Sequence, residues 1–161
     1  MALAPLALKL QKQVQNPFVF WFFLLARLPA ALFAGVRLRE VNERRCVTTV
    51  PYGWRSQNPF KSTYFAAQAM AAEMSTGALV LLATADVPFS TLIVDMTATF
   101  GKKATGLATF VCEEGPAIFD AVQQAKATGE PRVLTLETVG RMADGTEVSR
   151  FTFTWSIKAK R

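Results

Sequence analysis

The sequence contains no histidine. That absence removes the commonest general base, the commonest zinc ligand and every Ser-His-Asp or Cys-His nucleophile system. Chemistry therefore falls to carboxylates, lysine, tyrosine, hydroxyls and backbone groups. Cysteine is scarce: Cys46 and Cys112 stand far apart and form no CxxC pair. Two thiols without histidine do not make a typical zinc site, so neither a metal nor a cofactor is expected. Each thiol sits in an apolar, strand-like segment and reads as a reduced, buried side chain of a cytoplasmic protein. Long runs of like charge are missing, and no strand interleaves aromatic and basic residues. Nucleic acid is therefore not an expected partner.

What is present fits one domain. The chain has 161 residues, and domains cluster at about 100–150. Hydrophobic residues make up 51% and charged residues 19%, which excludes disorder as the main state. Eighteen Lys and Arg oppose twelve Asp and Glu, a net charge of +6. The cations are spread along the chain. A phosphate-bearing small molecule suits them as well as solubility alone does.

Pro17–Gly35 reads PFVFWFFLLARLPAALFAG and follows Lys9 and Lys12. Its length approaches that of a bilayer crossing. Arg27 in its middle, Pro29 and the polar stretch Gln13–Asn16 oppose export or spanning. The expectation is one N-terminal helix, capped by Asn16, opened by Pro17 and stopped by Gly35. It would be buried or face a second copy. Contact with a membrane surface through 17–35 is the less favoured alternative.

Beyond Gly35 the period changes. Val36–Val41 and Cys46–Val50 read as a hairpin about Asn42-Glu43. Pro51–Lys61 is a loop. Ser62 to about Leu82 is helical in pattern, capped by Ser62 or Thr63, and apolar nearly all round, hence buried. Ser90–Phe100 and Thr105–Cys112 read as a second hairpin turning at Gly101–Ala104. Pro116–Ala127 is a short helix closing near Gly129. Arg132–Met142 and Glu147–Ile157 form a third hairpin about Asp144-Gly145. The sum is α+β: an antiparallel sheet wrapped around a long central helix, with an extra N-terminal helix. This is the hotdog arrangement. It divides the chain into a helical segment, 1–35, and one hotdog domain, 36–161. An open sheet edge would pair with another copy.

Glu73 is the leading candidate for chemistry. It lies on a stripe with Ala69, Met70, Thr76, Gly77 and Val80, where a carboxylate is costly to ionise and suited to act as a base or nucleophile. The competing reading is a carboxylate bonded locally to Thr76 or leaning into solvent. Asn58, just before a proline, either donates to a carbonyl or holds an ordinary turn. The helix start Lys61–Ala66 offers free backbone N–H groups that could hold an oxyanion.

Together these residues resemble the hotdog thioesterases, and more closely the phenylacetate-pathway group and its uncharacterised bacterial relatives. That family shows an Asn, a His-Gly-Gly at the helix start and an acid about two turns on. Asn58 matches the asparagine and Glu73 the acid, while Tyr64, Phe65 and Ala66 stand where His-Gly-Gly would be. The resemblance covers about Val36–Ile157. It implies hydrolysis of an acyl thioester, acyl-coenzyme A above all, in a homodimer or tetramer. Glu73 would activate water or attack the carbonyl. The N–H of Phe65 or Ala66 would hold the oxyanion, with Tyr64 replacing histidine or plugging the site. Asn58 would position water or the carbonyl. Lys102 and Lys103, with Arg37, Arg39, Arg44 or Arg45, would meet coenzyme A phosphates. The alternative is a catalytically silent hotdog protein that binds an acyl chain, acyl-coenzyme A or a fatty acid.

Overall fold

The structure is a computed structural model that describes residues 3–160. Three helices open the chain, not one: α1 (Pro5–Gln15), α2 (Pro17–Arg27) and α3 (Pro29–Ala34). Each begins with proline at its first position, where the missing N–H costs nothing. Asn16 caps α2 as expected; its Oδ1 accepts from the N–H of Phe18 and Val19. Pro29 does not merely interrupt a helix but starts the next. Gly35 ends α3 in the left-handed region, φ 83°. α2 is not a buried helix: only Phe20 and Leu24 are buried.

Strands β1 (Arg37–Val41) and β2 (Cys46–Val50) form the expected hairpin, and Cys46 lies opposite Cys112 on β4 (Ala108–Cys112). The long helix α4 (Phe65–Ala83) follows. By length and composition it could cross a membrane, yet it is the buried axis of the sheet. Its alanines, Ala67, Ala71 and Ala72, are buried and let β2 approach, where Thr48 Oγ1 donates to the carbonyl of Ala71 at 2.6 Å. Then come β3 (Phe89–Phe100), β4, α5 (Gly115–Thr128), β5 (Arg132–Arg141) and β6 (Glu147–Ala159). All six strands are antiparallel, in the order β1-β2-β4-β5-β6-β3.

Two local expectations fail, for one reason. β3 and β4 are not a hairpin. β3 pairs along β6 from Phe89–Ala159 to Phe100–Ser149, while β4 inserts between β2 and β5. The connection crosses over the start of α4. Ser62 and Thr63 hold it there and do not cap the helix. Ser62 Oγ accepts from the N–H of Ala104, and the carbonyl of Ala104 accepts from both Thr63 N–H and Thr63 Oγ1. Turn-like residues at Gly101–Ala104 mark a stitched crossover because these tertiary bonds outcompete a local turn.

α4 packs on β2, β4 and β5 and against α5, while α1 and α3 lean on α4. Phe110, Phe151, Phe153, Leu79, Leu136 and Ile157 are buried in one continuous core, which also takes in Phe20 and Leu24 of α2. β6 shows why: Phe151, Phe153, Trp155 and Ile157 alternate inward along the strand.

Candidate active site

Glu73 lies mid-way along α4 and lines a cavity of about 320 Å³. It is the one titratable side chain lining that cavity among the described residues. Leu38 and Val41 of β1, Met74, Ala78 and Leu81 of α4, and Trp155 of β6 supply much of the rest. α1 adds Leu10 and Val14, and α2 adds Phe20 and Phe23. Burial pushes the Glu73 carboxyl above the usual carboxylate range, and no neighbouring charge opposes the shift. Thr76 does not bond the carboxylate. Its hydroxyl donates to the Glu73 carbonyl and accepts from Trp155 Nε1 at 3.2 Å. That bond fixes the indole beside the acid. Gly77 is one turn on, and a β-carbon there would meet Glu73 Oε1 at 2.9 Å and the Trp155 ring at 3.6 Å.

The other expected residues gather at the start of α4. Tyr64 is its N-cap residue, with no side-chain capping bond. Its carbonyl accepts from Ala67 and Gln68. No described residue accepts from the N–H of Phe65 or Ala66, so two donors point out of the helix end. Tyr64 and Phe65 stack edge to face at 4.8 Å and stand half exposed, so neither fills a closed pocket. Asn58 holds a turn: its Oδ1 accepts from the N–H of Phe60 and Ser62. The tight loop carries Lys61 at φ 57°. Lys103 Nζ donates to the Phe60 carbonyl at 2.9 Å, which brings the crossover lysines Lys102 and Lys103 to this end.

Within one chain the two groups stay apart. Eight helical steps lead from Phe65 to Glu73, a rise of about 12 Å. Asn58, Tyr64, Phe65 and Ala66 do not line the Glu73 cavity. Two of the four arginines hold side-chain partners of their own. Arg45 pairs with Glu40 at 2.8 Å, Arg39 bonds Thr49, and Arg37 and Arg39 border a groove with Gln15 and Trp21.

The chain matches the family described as a domain of unknown function, DUF4442, over residues 19–157. It belongs to that family. Among curated proteins, none matches this DUF4442 chain. Solved structures do. A protein of unknown function from Pseudomonas aeruginosa, named "Probable Thioesterase", is 18% identical with a TM-score of 0.71. The match covers 94% of this chain and 95% of that one. A protein of unknown function from Chlorobaculum tepidum is 14% identical at TM-score 0.74, covering 96% and 94%. A thioesterase from Haemophilus influenzae is 13% identical at TM-score 0.61, covering 84% and 86%. The DUF4442 chain therefore has the hotdog fold.

The sequence did not disclose Trp155, Phe20, Phe23 or Leu10 as cavity residues. Trp155 was legible only as an inward position of β6. The helix residues gave no signal, because whether an apolar side chain lines a void or fills the core depends on packing.

Proposed function

We propose that this chain hydrolyses an acyl thioester, with acyl-coenzyme A as the leading substrate, as a homodimer or a tetramer built from such dimers. One observation carries the reading: a lone carboxylate, Glu73, with its proton affinity raised by burial, faces an otherwise apolar cavity. An apolar cavity suits an acyl chain, and a raised carboxyl suits a base working near neutral pH. The names of the Pseudomonas and Haemophilus proteins support the same chemistry.

Glu73 takes a proton from water as the water oxygen adds to the thioester carbonyl carbon. The carbon–sulfur bond then breaks and the Glu73 carboxyl returns its proton to the leaving sulfur, giving a carboxylic acid and a thiol and restoring the carboxylate. The developing oxyanion needs donors, and the free N–H groups of Phe65 and Ala66 are suited to it. Because these lie about 12 Å from Glu73 along the helix, a complete site takes the helix end from a second copy. β3 supports such pairing. It is a free edge of the sheet and exposes Leu92, Val94, Met96 and Phe100. An edge of this kind is stable when paired. Lys102 and Lys103, beside the same helix end, suit the phosphates of coenzyme A, and no described residue accepts from Asn58 Nδ2, which leaves it to donate. The chain works in the cytoplasm, in keeping with two reduced thiols.

The test is thiol release from a panel of acyl-coenzyme A esters by wild type, Glu73→Gln and Glu73→Ala. Removing a general base lowers kcat by about 100-fold or more. Equal rates in the three proteins reject the reading. The second reading, a silent binder of acyl chains, is favoured by the separation of Glu73 from the helix end within one chain. It predicts tight binding of an acyl-coenzyme A with no thiol release.

A further inference from the structure

α2 is apolar on every side, but the protein buries only one. Phe20 and Leu24 face inward. Phe18 is 78% exposed and Phe22 64%, and Val19, Trp21 and Leu25 are also exposed. The patch continues through α3, where Phe33 (56% exposed) stacks edge to face on Trp54 (75% exposed) at 5.8 Å. Monomeric proteins rarely leave so large a contiguous apolar patch without a partner.

Along this part of the chain the charge is of one sign, although exposed Asp86 shares a groove with Lys9. Residues 1–39 contain Lys9, Lys12, Arg27, Arg37 and Arg39 and no Asp or Glu. The first carboxylate, Glu40, is bound to Arg45. Lys9, Lys12 and Arg27 are exposed. A patch of Phe, Trp and Leu, with Arg37 and Arg39 in a groove beside Trp21 and Arg27 exposed at the end of α2, matches the interface of an anionic bilayer. A second copy docked here across a two-fold axis would bring the cations against themselves. Spanning is excluded by length. α2 has 11 residues, about 16 Å of helix against a hydrocarbon core of about 30 Å.

We propose that α2, with α3 and Trp54, is a membrane-docking surface that lies in the plane of an anionic lipid bilayer. Phe18, Trp21, Phe22 and Leu25 enter the headgroup boundary, and Lys9, Lys12 and Arg27 meet lipid phosphates. α2 is also a wall of the Glu73 cavity through Phe20 and Phe23, so docking brings that cavity close to the lipid. The docking itself does not depend on hydrolysis.

The test is sedimentation of the full chain with phosphatidylcholine vesicles, with and without phosphatidylglycerol. Wild type is expected to sediment with the anionic vesicles and to release at high salt. Phe18→Ser with Phe22→Ser is expected to lower the vesicle affinity about tenfold or more. Both side chains point outward, so the melting temperature should stay near that of wild type. Lys9→Glu with Lys12→Glu is expected to lower affinity for the anionic vesicles alone, by about thirtyfold or more. In Trp54→Phe, brominated lipid should quench Trp21, since Trp155 is buried. Three results would each overturn the proposal. One is no sedimentation with either vesicle. Another is equal sedimentation of wild type and the Phe18/Phe22 variant. The third is a variant that changes oligomer size and leaves lipid binding intact.

Discussion

Gly77 follows Glu73 by one helical turn, and a β-carbon at Gly77 would stand 2.9 Å from Glu73 Oε1. The carboxylate lies along α4 only because nothing projects from residue 77. Gly77→Ala separates stability from position. Alanine is favoured over glycine in a helix by about 1 kcal/mol, and the clashing atom is the mobile end of a side chain. The variant is therefore expected to keep or raise the melting temperature. Its kcat/KM for an acyl thioester should fall, because the carboxylate is displaced.

Glu73 also links pH to stability. Its carboxyl titrates above the ordinary value in the folded chain, because burial disfavours the charge. Between the unfolded and folded pKa values the folded state holds more protons, so stability falls as pH rises through that window. Glu73→Gln removes this loss. The variant is expected to be more stable than wild type near neutral pH, with the difference vanishing below the unfolded pKa. Activity should run the other way. Wild-type kcat/KM should fall as pH drops through the raised pKa, and the variant should be slower by about 100-fold or more without that pH dependence. Thermal melts and rates across the same pH series check both.

Ser62 is predicted to matter more for stability than for any cap. Its hydroxyl is the acceptor for the buried N–H of Ala104. Ser62→Ala leaves that N–H unsatisfied and should cost about 1–3 kcal/mol in denaturant unfolding. A loss near zero would show that the crossover does not depend on this bond.

The two thiols should be silent until the chain unfolds. Cys46 and Cys112 are buried and lie opposite each other on β2 and β4. Burial pushes Cys112 up to about 12 and Cys46 further in the same direction. Thiolate is the reactive form, so a disulfide-exchange reagent should titrate no thiol in the native protein and both in denaturant.

The β3 edge should control assembly. Leu92→Lys with Met96→Lys puts charge on the exposed edge strand. Light scattering is expected to find a dimer or larger in wild type and a monomer in the variant, with thiol release lost alongside. A variant that assembles like wild type would show that the copies meet elsewhere.

Much of the fold was legible along the chain. Period-two runs of Val, Thr and Phe marked the strands, an alanine-rich stretch marked a thin buried helix, and Asn16-Pro17 and Gly35 marked helix ends. These are local signals, set by backbone sterics and side-chain period. Glu73 was legible too, as a carboxylate on an apolar stripe. What local signals do not contain is partnership. Ser62 and Thr63 look like caps, and Gly101–Ala104 looks like a turn, until the crossover binds one to the other. The Arg37–Arg45 cluster looks like a phosphate site until Glu40 and Thr49 take two of its members.

The missing histidine was decided by the sequence alone, and it left carboxylates, lysine and tyrosine as the available bases. Composition and period also decided a single α+β chain around a buried helix. Tertiary structure decided the rest. It opened a cavity at Glu73 and left the helix end outside that cavity. It also turned α2 so that Phe20 lines that cavity while Phe22 meets solvent. An apolar helix has no preferred inward face in its own sequence, and only packing against α1, α3 and the core supplies one.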